Sequence, residues 1–191
     1  MVDGSNLTGP FPHGIKYVAI TGTPAAGKST LAADLQREFS LPVVSAGEAA
    51  RSIDAGSLIT GAMAAEDAFR DEWQRRMALL SGGPAILEGI PRKFTQCDLL
   101  PPLTLVFVLL TSWDVAKGRA VARGRLDDGH ARDRYDEQLR LFGMEDRIKY
   151  VDTWVTRLAT PARVVVTDWM QPDQVARQVV DYLRDRRTTA W

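Results

Sequence analysis

The sequence predicts an α/β fold, a doubly wound sheet of five parallel strands, and three observations predict it. Five short apolar runs alternate with stretches of helical periodicity, the arrangement that parallel strands and crossover helices produce. The runs are nearly continuous in apolar and β-branched residues, as strands covered on both faces require. The first run leads through a glycine-rich turn directly into a helical pattern, so strand, loop and helix follow one another without a linker.

The first strand is expected at Tyr17 to Thr21, ahead of the segment Gly22-Thr23-Pro24-Ala25-Ala26-Gly27-Lys28-Ser29. This segment fits GxxxxGK[ST], a pattern expected by chance in about one chain in a hundred of this length. Its position between a buried strand and the helix Ser29 to Phe39 is the context in which the pattern cradles phosphate. Gly22 and Gly27 let the backbone curl with its N–H groups inward, and the helix dipole adds to their field. Lys28 supplies a mobile positive charge, and Ser29 a hydroxyl for Mg2+.

The second strand is expected at Leu41 to Ser45, the third at Ala85 to Glu88, the fourth at Leu103 to Leu110 and the fifth at Arg163 to Val166. Phe69, Trp73, Met77 and Leu80 share one face of a helix before the third strand. Val175, Val179, Val180 and Leu183 do so in a last helix that Pro172 and Asp173 begin. Between Ala131 and Leu158, two further stripes flank Gly143 and predict two helices or one kinked helix.

With 45% hydrophobic content over 191 residues, one domain from residue 15 to 191 is the simplest organisation, after a mobile tail of residues 1–14. Lys and Arg balance Asp and Glu at 24 each, so nothing in the total points to a general polyanion binder. A single cysteine, Cys97, excludes an internal disulfide framework and suits a reducing compartment, with the cytoplasm as the default. No apolar run is long enough to span a bilayer, so no membrane partner is expected.

Two further segments place chemistry at the carboxyl ends of the strands, where ligands of such sheets bind. Glu88-Gly89-Ile90-Pro91-Arg92, followed by Gln96, offers a carboxylate for Mg2+ through water and an arginine able to grip phosphate bidentately. Ser45-Ala46-Gly47-Glu48-Ala49-Ala50-Arg51 repeats the logic at the second strand. Arg119, Arg123, Arg125, Arg132 and Arg134, interleaved with Asp127 and Asp128, lie where a lid could close over donor phosphates.

In this order the motifs resemble those of the nucleoside monophosphate kinases, the family of adenylate kinase and UMP/CMP kinase, over roughly Lys16 to Leu183. Gly22 to Thr30 resembles its GxPGxGKxT, Ser45 to Arg51 its STGDxLR, Glu88 to Gln96 its DGFPRxxxQ, and Arg125 to Asp128 its RxDD. The resemblance implies ATP held by Gly22 to Thr30, with Mg2+ near Ser29 and Glu88. It implies Lys28, Arg123, Arg125 and Arg134 at the transferring phosphoryl group, and Arg119 on the donor base, with the backbone of residues 168–171 at that base's edge. Ser45, Gly47, Arg51, Gly89, Arg92 and Gln96 would bind the acceptor nucleotide, with Gln96 at its base.

The chain departs from that pattern on the acceptor side. Residues 51–80 leave little room for the usual flap, the lid of residues 119–134 is reduced to Gly124 between Arg123 and Arg125, Glu88 replaces an aspartate and Ala46 a threonine. Three functions are therefore in competition: transfer to a free nucleoside monophosphate, transfer to a hydroxyl on a modified base flipped out of DNA, and an ATP-driven switch acting through a partner.

Overall fold

The computed structural model describes residues 11, 14–57, 62–92, 94–122 and 161–185. Five strands, β1 (Tyr17–Gly22), β2 (Val43–Ser45), β3 (Ala85–Glu88), β4 (Thr104–Leu110) and β5 (Ala162–Val166), form one parallel sheet in the order β2-β3-β1-β4-β5. The described helices are α1 (Lys28–Phe39), α2 (Ala46–Ser57), α3 (Ala62–Ala78), α4 (Trp113–Ala122) and α5 (Pro172–Asp185), with a 3-10 helix at Phe94–Leu99. The expected α/β architecture and all five strands are present, within two residues of their predicted limits. The two stripes between Ala131 and Leu158 lie outside the described residues.

Alternation along each strand decides which layer a side chain joins. Tyr17 and Ala19 of β1, Leu87 of β3 and Val106 and Val108 of β4 share a core with Ala49, Phe69 and Trp73 on the α2 and α3 side. Val18, Ile20, Ile86, Leu105, Phe107 and Leu109 join Leu31 and Leu35 of α1 and Val175, Val179 and Leu183 of α5 on the other. Both central strands are consequently buried on both faces, which accounts for their continuous apolar sequence. Fully burying a leucine such as Leu35 contributes about 1.5–3 kcal/mol.

One residue of the expected N-terminal tail is anchored in this core. Phe11 is buried, and its ring lies 5.4 Å from that of Phe39 at the end of α1.

The first glycine of the phosphate loop is a constraint of the sheet itself. Gly22 is the last residue of β1, paired with Leu109, and has φ of 135°. A Cβ there would sit 1.8 Å from the Leu109 carbonyl oxygen. Gly118, inside the exposed turn of α4, meets nothing within 4 Å. Urea denaturation of two alanine variants tests this contrast. Gly22→Ala is expected to lose about 3 kcal/mol or more, whereas Gly118→Ala is expected to gain about 0.5–1 kcal/mol.

Candidate active site

The strand order creates the site. With β3 between β1 and β2, the residue that ends β3 reaches both neighbours, and that residue is Glu88, paired with Ile20 on one side and Ser45 on the other. Its side chain is nearly buried at 8% exposure. The Ser29 hydroxyl of α1 donates to Oε1 at 3.0 Å, and the Ser45 hydroxyl of β2 donates to Oε2 at 2.6 Å. One carboxylate thus links the phosphate loop's helix to the strand that leads to Arg51.

The loop before α1 is held in place by threonines on either side. Thr23 is fully buried, its N–H donating to the Leu109 carbonyl at 3.0 Å and its Oγ1 accepting from the Thr111 N–H at 3.0 Å. Gly27 caps α1 with φ of 96°, and no side chain occupies the capping position. The first turn of α1 therefore presents its amide end and its positive dipole to the loop.

Lys28 folds back over the loop, Nζ donating to the carbonyls of Gly22 at 3.0 Å and Thr23 at 2.7 Å. Removal from water pulls its ammonium down to about 8. Glu88 acts in the opposite direction, and the positive charge of Arg92 lowers it further. A bound polyphosphate would reverse this balance by supplying negative charge.

Arg51 and Arg92 follow the carboxyl ends of β2 and β3. Arg51 lies one turn into α2, its guanidinium 3.4 Å from where a Cβ on Gly47 would be, so the missing side chain leaves it room. Both arginines are exposed, and neither has a carboxylate partner among the described residues. Arg70, Arg75 and Arg76 nearby are all paired, with Asp98, Glu72 and Glu48. Glu72 is held at about 2 by the hydrogen bonds of Arg75 and then Arg76, and Ser52 of α2 also donates to it. These bonds tie α2 to α3, so Arg51 projects from a braced helical pair where a shortened flap was expected.

Gln96 is 4% exposed, and its Oε1 accepts from the Arg92 N–H at 2.8 Å. The 3-10 helix turns it back under the Gly89 to Arg92 bend.

A cavity of about 400 Å3 opens on the other side of the loop, lined by Ala26, Thr30, Arg119, Trp169 and Gln171 among others. Arg119 is fixed on its wall, donating to the Ala25 carbonyl at 3.3 Å and the Thr167 carbonyl at 2.8 Å. Asp168 Oδ1 accepts from the Ser112 N–H at 2.6 Å and the Thr111 hydroxyl at 2.8 Å. Sequence reasoning missed this Thr23, Thr111, Asp168 chain, whose members lie far apart in sequence. Arg123, Arg125, Arg132 and Arg134 lie outside the described residues.

The oxygen donors fit Mg2+. Ser29 and Glu88 offer hard ligands, and the described residues contain no cluster of three or more metal-binding side chains. An ion held by one hydroxyl and one carboxylate, with water and phosphate completing its shell, is the usual Mg2+ arrangement.

Comparison with known proteins agrees with this geometry. A family model described as an AAA domain matches residues 21–141. An adenylate kinase of Kocuria rhizophila is 33% identical over 151 residues, covering 62% of this chain and 78% of that one. An adenylate kinase of a Synechococcus strain is 30% identical over 128 residues, covering 58% and 70%. In fold, the chain resembles a shikimate kinase from Acinetobacter baumannii solved with shikimate, with a TM-score of 0.61, 15% identity and coverage of 92% and 96%. A sugar kinase from a Janibacter species gives 0.61 at 19% identity, covering 93% and 99%.

The Asp168 bonds define a test of the loop's scaffold. Asp168→Ala removes the oxygen that accepts from the Ser112 N–H and the Thr111 hydroxyl, and should lower unfolding free energy by about 1–3 kcal/mol. Asp168→Asn keeps an acceptor oxygen and should recover most of that loss in the same urea titration.

Proposed function

This chain belongs to the AAA domain family and to the adenylate kinase family of phosphotransferases, and on that premise we propose that it transfers the γ-phosphoryl group of ATP to a small acceptor bearing a phosphate. The observation that carries the acceptor class is the pair of exposed arginines, Arg51 and Arg92, which follow the carboxyl ends of β2 and β3 and have no carboxylate partners among the described residues. A nucleoside monophosphate is the acceptor that best suits this pair and the family.

The donor base occupies the cavity beside Arg119 and Trp169, and the triphosphate runs along Gly22 to Thr30 towards Glu88. Lys28 gives up the Gly22 and Thr23 carbonyls to neutralise the β- and γ-phosphates. Ser29 and Glu88 would hold Mg2+, which would screen the charge of the phosphates. Arg51 and Arg92 fix the acceptor phosphate so that one of its oxygens lies in line with the γ-phosphorus. That oxygen forms the new O–P bond as the bond to the β-phosphate oxygen breaks, and ADP leaves with the electron pair. An ionised acceptor phosphate has no proton to surrender, so no general base is needed. Arg123, Arg125 and Arg134 are the further cations proposed to close over the transferring group.

Labelled transfer from γ-labelled ATP tests the reading against a panel of ribo- and deoxynucleoside monophosphates and plain or hydroxymethylated oligonucleotides. The expected product is a labelled nucleoside diphosphate, lost in Lys28→Ala. Label found only on hydroxymethylated DNA, or free phosphate with no labelled acceptor, would reject a nucleotide acceptor.

The depressed Lys28 ammonium adds a pH dependence. In the free protein Lys28 loses its proton near pH 8, whereas phosphates favour the charged form, so binding takes up a proton above that pH. ATP affinity measured by calorimetry should be level below pH 8 and about tenfold weaker by pH 9. Lys28→Arg, charged throughout, should abolish that decline. Stability runs the other way. Burying the cation costs the fold below pH 8, and that cost is relieved as pH rises towards 10.5.

A further inference from the structure

We infer that Ser45 is a positioning residue for the metal site, holding Oε2 of Glu88 so that Oε1 stays turned to Ser29 for the ion. The inference rests on the reading of Ser29 and Glu88 as the Mg2+ ligands. Ser45 ends β2, in register with Glu88 at the end of β3, and immediately precedes α2. Its hydroxyl has a single hydrogen, and that hydrogen goes to Glu88 Oε2 at 2.6 Å. The same hydroxyl oxygen accepts from the Glu48 N–H at 3.4 Å, in the first turn of the helix, as an N-cap serine does. Strand pairing and cap together fix where the hydroxyl stands. With its hydrogen given to Glu88, it has no donor left for an anionic acceptor, whose phosphate falls to Arg51 and Arg92.

Glu88 depends on such a support more than a shorter carboxylate would. It stands where the resembling motif carries an aspartate, and the extra methylene adds a rotatable bond that must be fixed before the carboxylate can hold an ion. Two hydroxyls hold it, Ser29 on Oε1 at 3.0 Å and Ser45 on Oε2. They are not equivalent. Ser29 is itself a ligand for the ion, so its bond to Glu88 is open to rearrangement when metal arrives. The Ser45 bond comes from a different strand and is made to the other oxygen, so it does not compete with the ion. Hydrogen bonds to ligating carboxylates tune metal affinity in just this way.

The test uses Mn2+ as the metal, with its Kd for the protein–ATP complex read from the electron paramagnetic resonance of free Mn2+. Calorimetry supplies two controls, the Kd of ATP in EDTA and the Kd of AMP without ATP or metal. Ser45→Ala should weaken Mn2+ binding about tenfold and leave both controls unchanged, and Ser45→Thr, which keeps the hydroxyl, should restore it. Ser45→Cys, of similar size but a weak donor, should weaken Mn2+ in the same direction and serves if Ser45→Ala does not fold. A weaker AMP with Mn2+ unchanged would make Ser45 an acceptor ligand, and a common loss in all three constants would make it structural. Either result overturns the proposal. Mn2+ binding that Glu88→Gln weakens and the Ser45 variants leave whole rejects the role of Ser45 alone. A wild-type complex that binds Mn2+ no more tightly than free ATP does rejects the metal site itself, and the inference with it.

Discussion

The placement of β3 between β1 and β2 is the constraint on which the rest of this site depends. Parallel pairing in register puts Glu88 beside Ile20 on one side and Ser45 on the other. The loop that follows β1 and the helix that follows β2 therefore begin within reach of one carboxylate. Ser29 and Ser45 both donate to it, one from each side. A strand order that separated β2 from β1 by more than one strand would leave the phosphate loop and the helix that carries Arg51 without a shared group.

Around that carboxylate the molecule divides its cations by environment. Lys28 is drawn down among carbonyls and loses basicity, which makes it responsive to arriving phosphate. Arg51 and Arg92 stay exposed at the sheet edge, whereas the α3 arginines are paired, Arg70 with Asp98, Arg75 with Glu72, and Arg76 with both Glu72 and Glu48 of α2. The phosphate loop is braced differently, through Thr23, Thr111, Asp168 and Arg119, which join the loop, the end of β4 and the end of β5. Rigid supports of this kind suit phosphoryl transfer, whose catalysis is mostly positioning and neutralisation of charge.

Much of this was legible in the sequence because the physics is local. Continuous burial of β1 and β4 forces continuous apolar residues, and the contact between Gly22 and the Leu109 carbonyl admits only glycine. Glu88 was legible because a carboxylate at the end of a strand in such a sheet faces the ligand edge. The supports were not. Asp168 and Thr111 are ordinary polar residues whose partnership exists only once β4 and β5 lie side by side. Gln96 carries a familiar spacing, but its bond to the Arg92 N–H depends on the turn of a 3-10 helix, which the spacing does not specify. Phe11 was hidden among prolines and glycine, with no periodicity to mark it as core.

The central claim is that Glu88 holds the metal that accompanies ATP while joining the two halves of the site. Calorimetric titration of ATP in Mg2+ and in EDTA, with the wild-type protein and Glu88→Gln, tests it most directly. The wild type should bind ATP more tightly in Mg2+ than in EDTA, and Glu88→Gln should bind equally in both. A Glu88→Gln protein that keeps the full Mg2+ dependence would contradict the account.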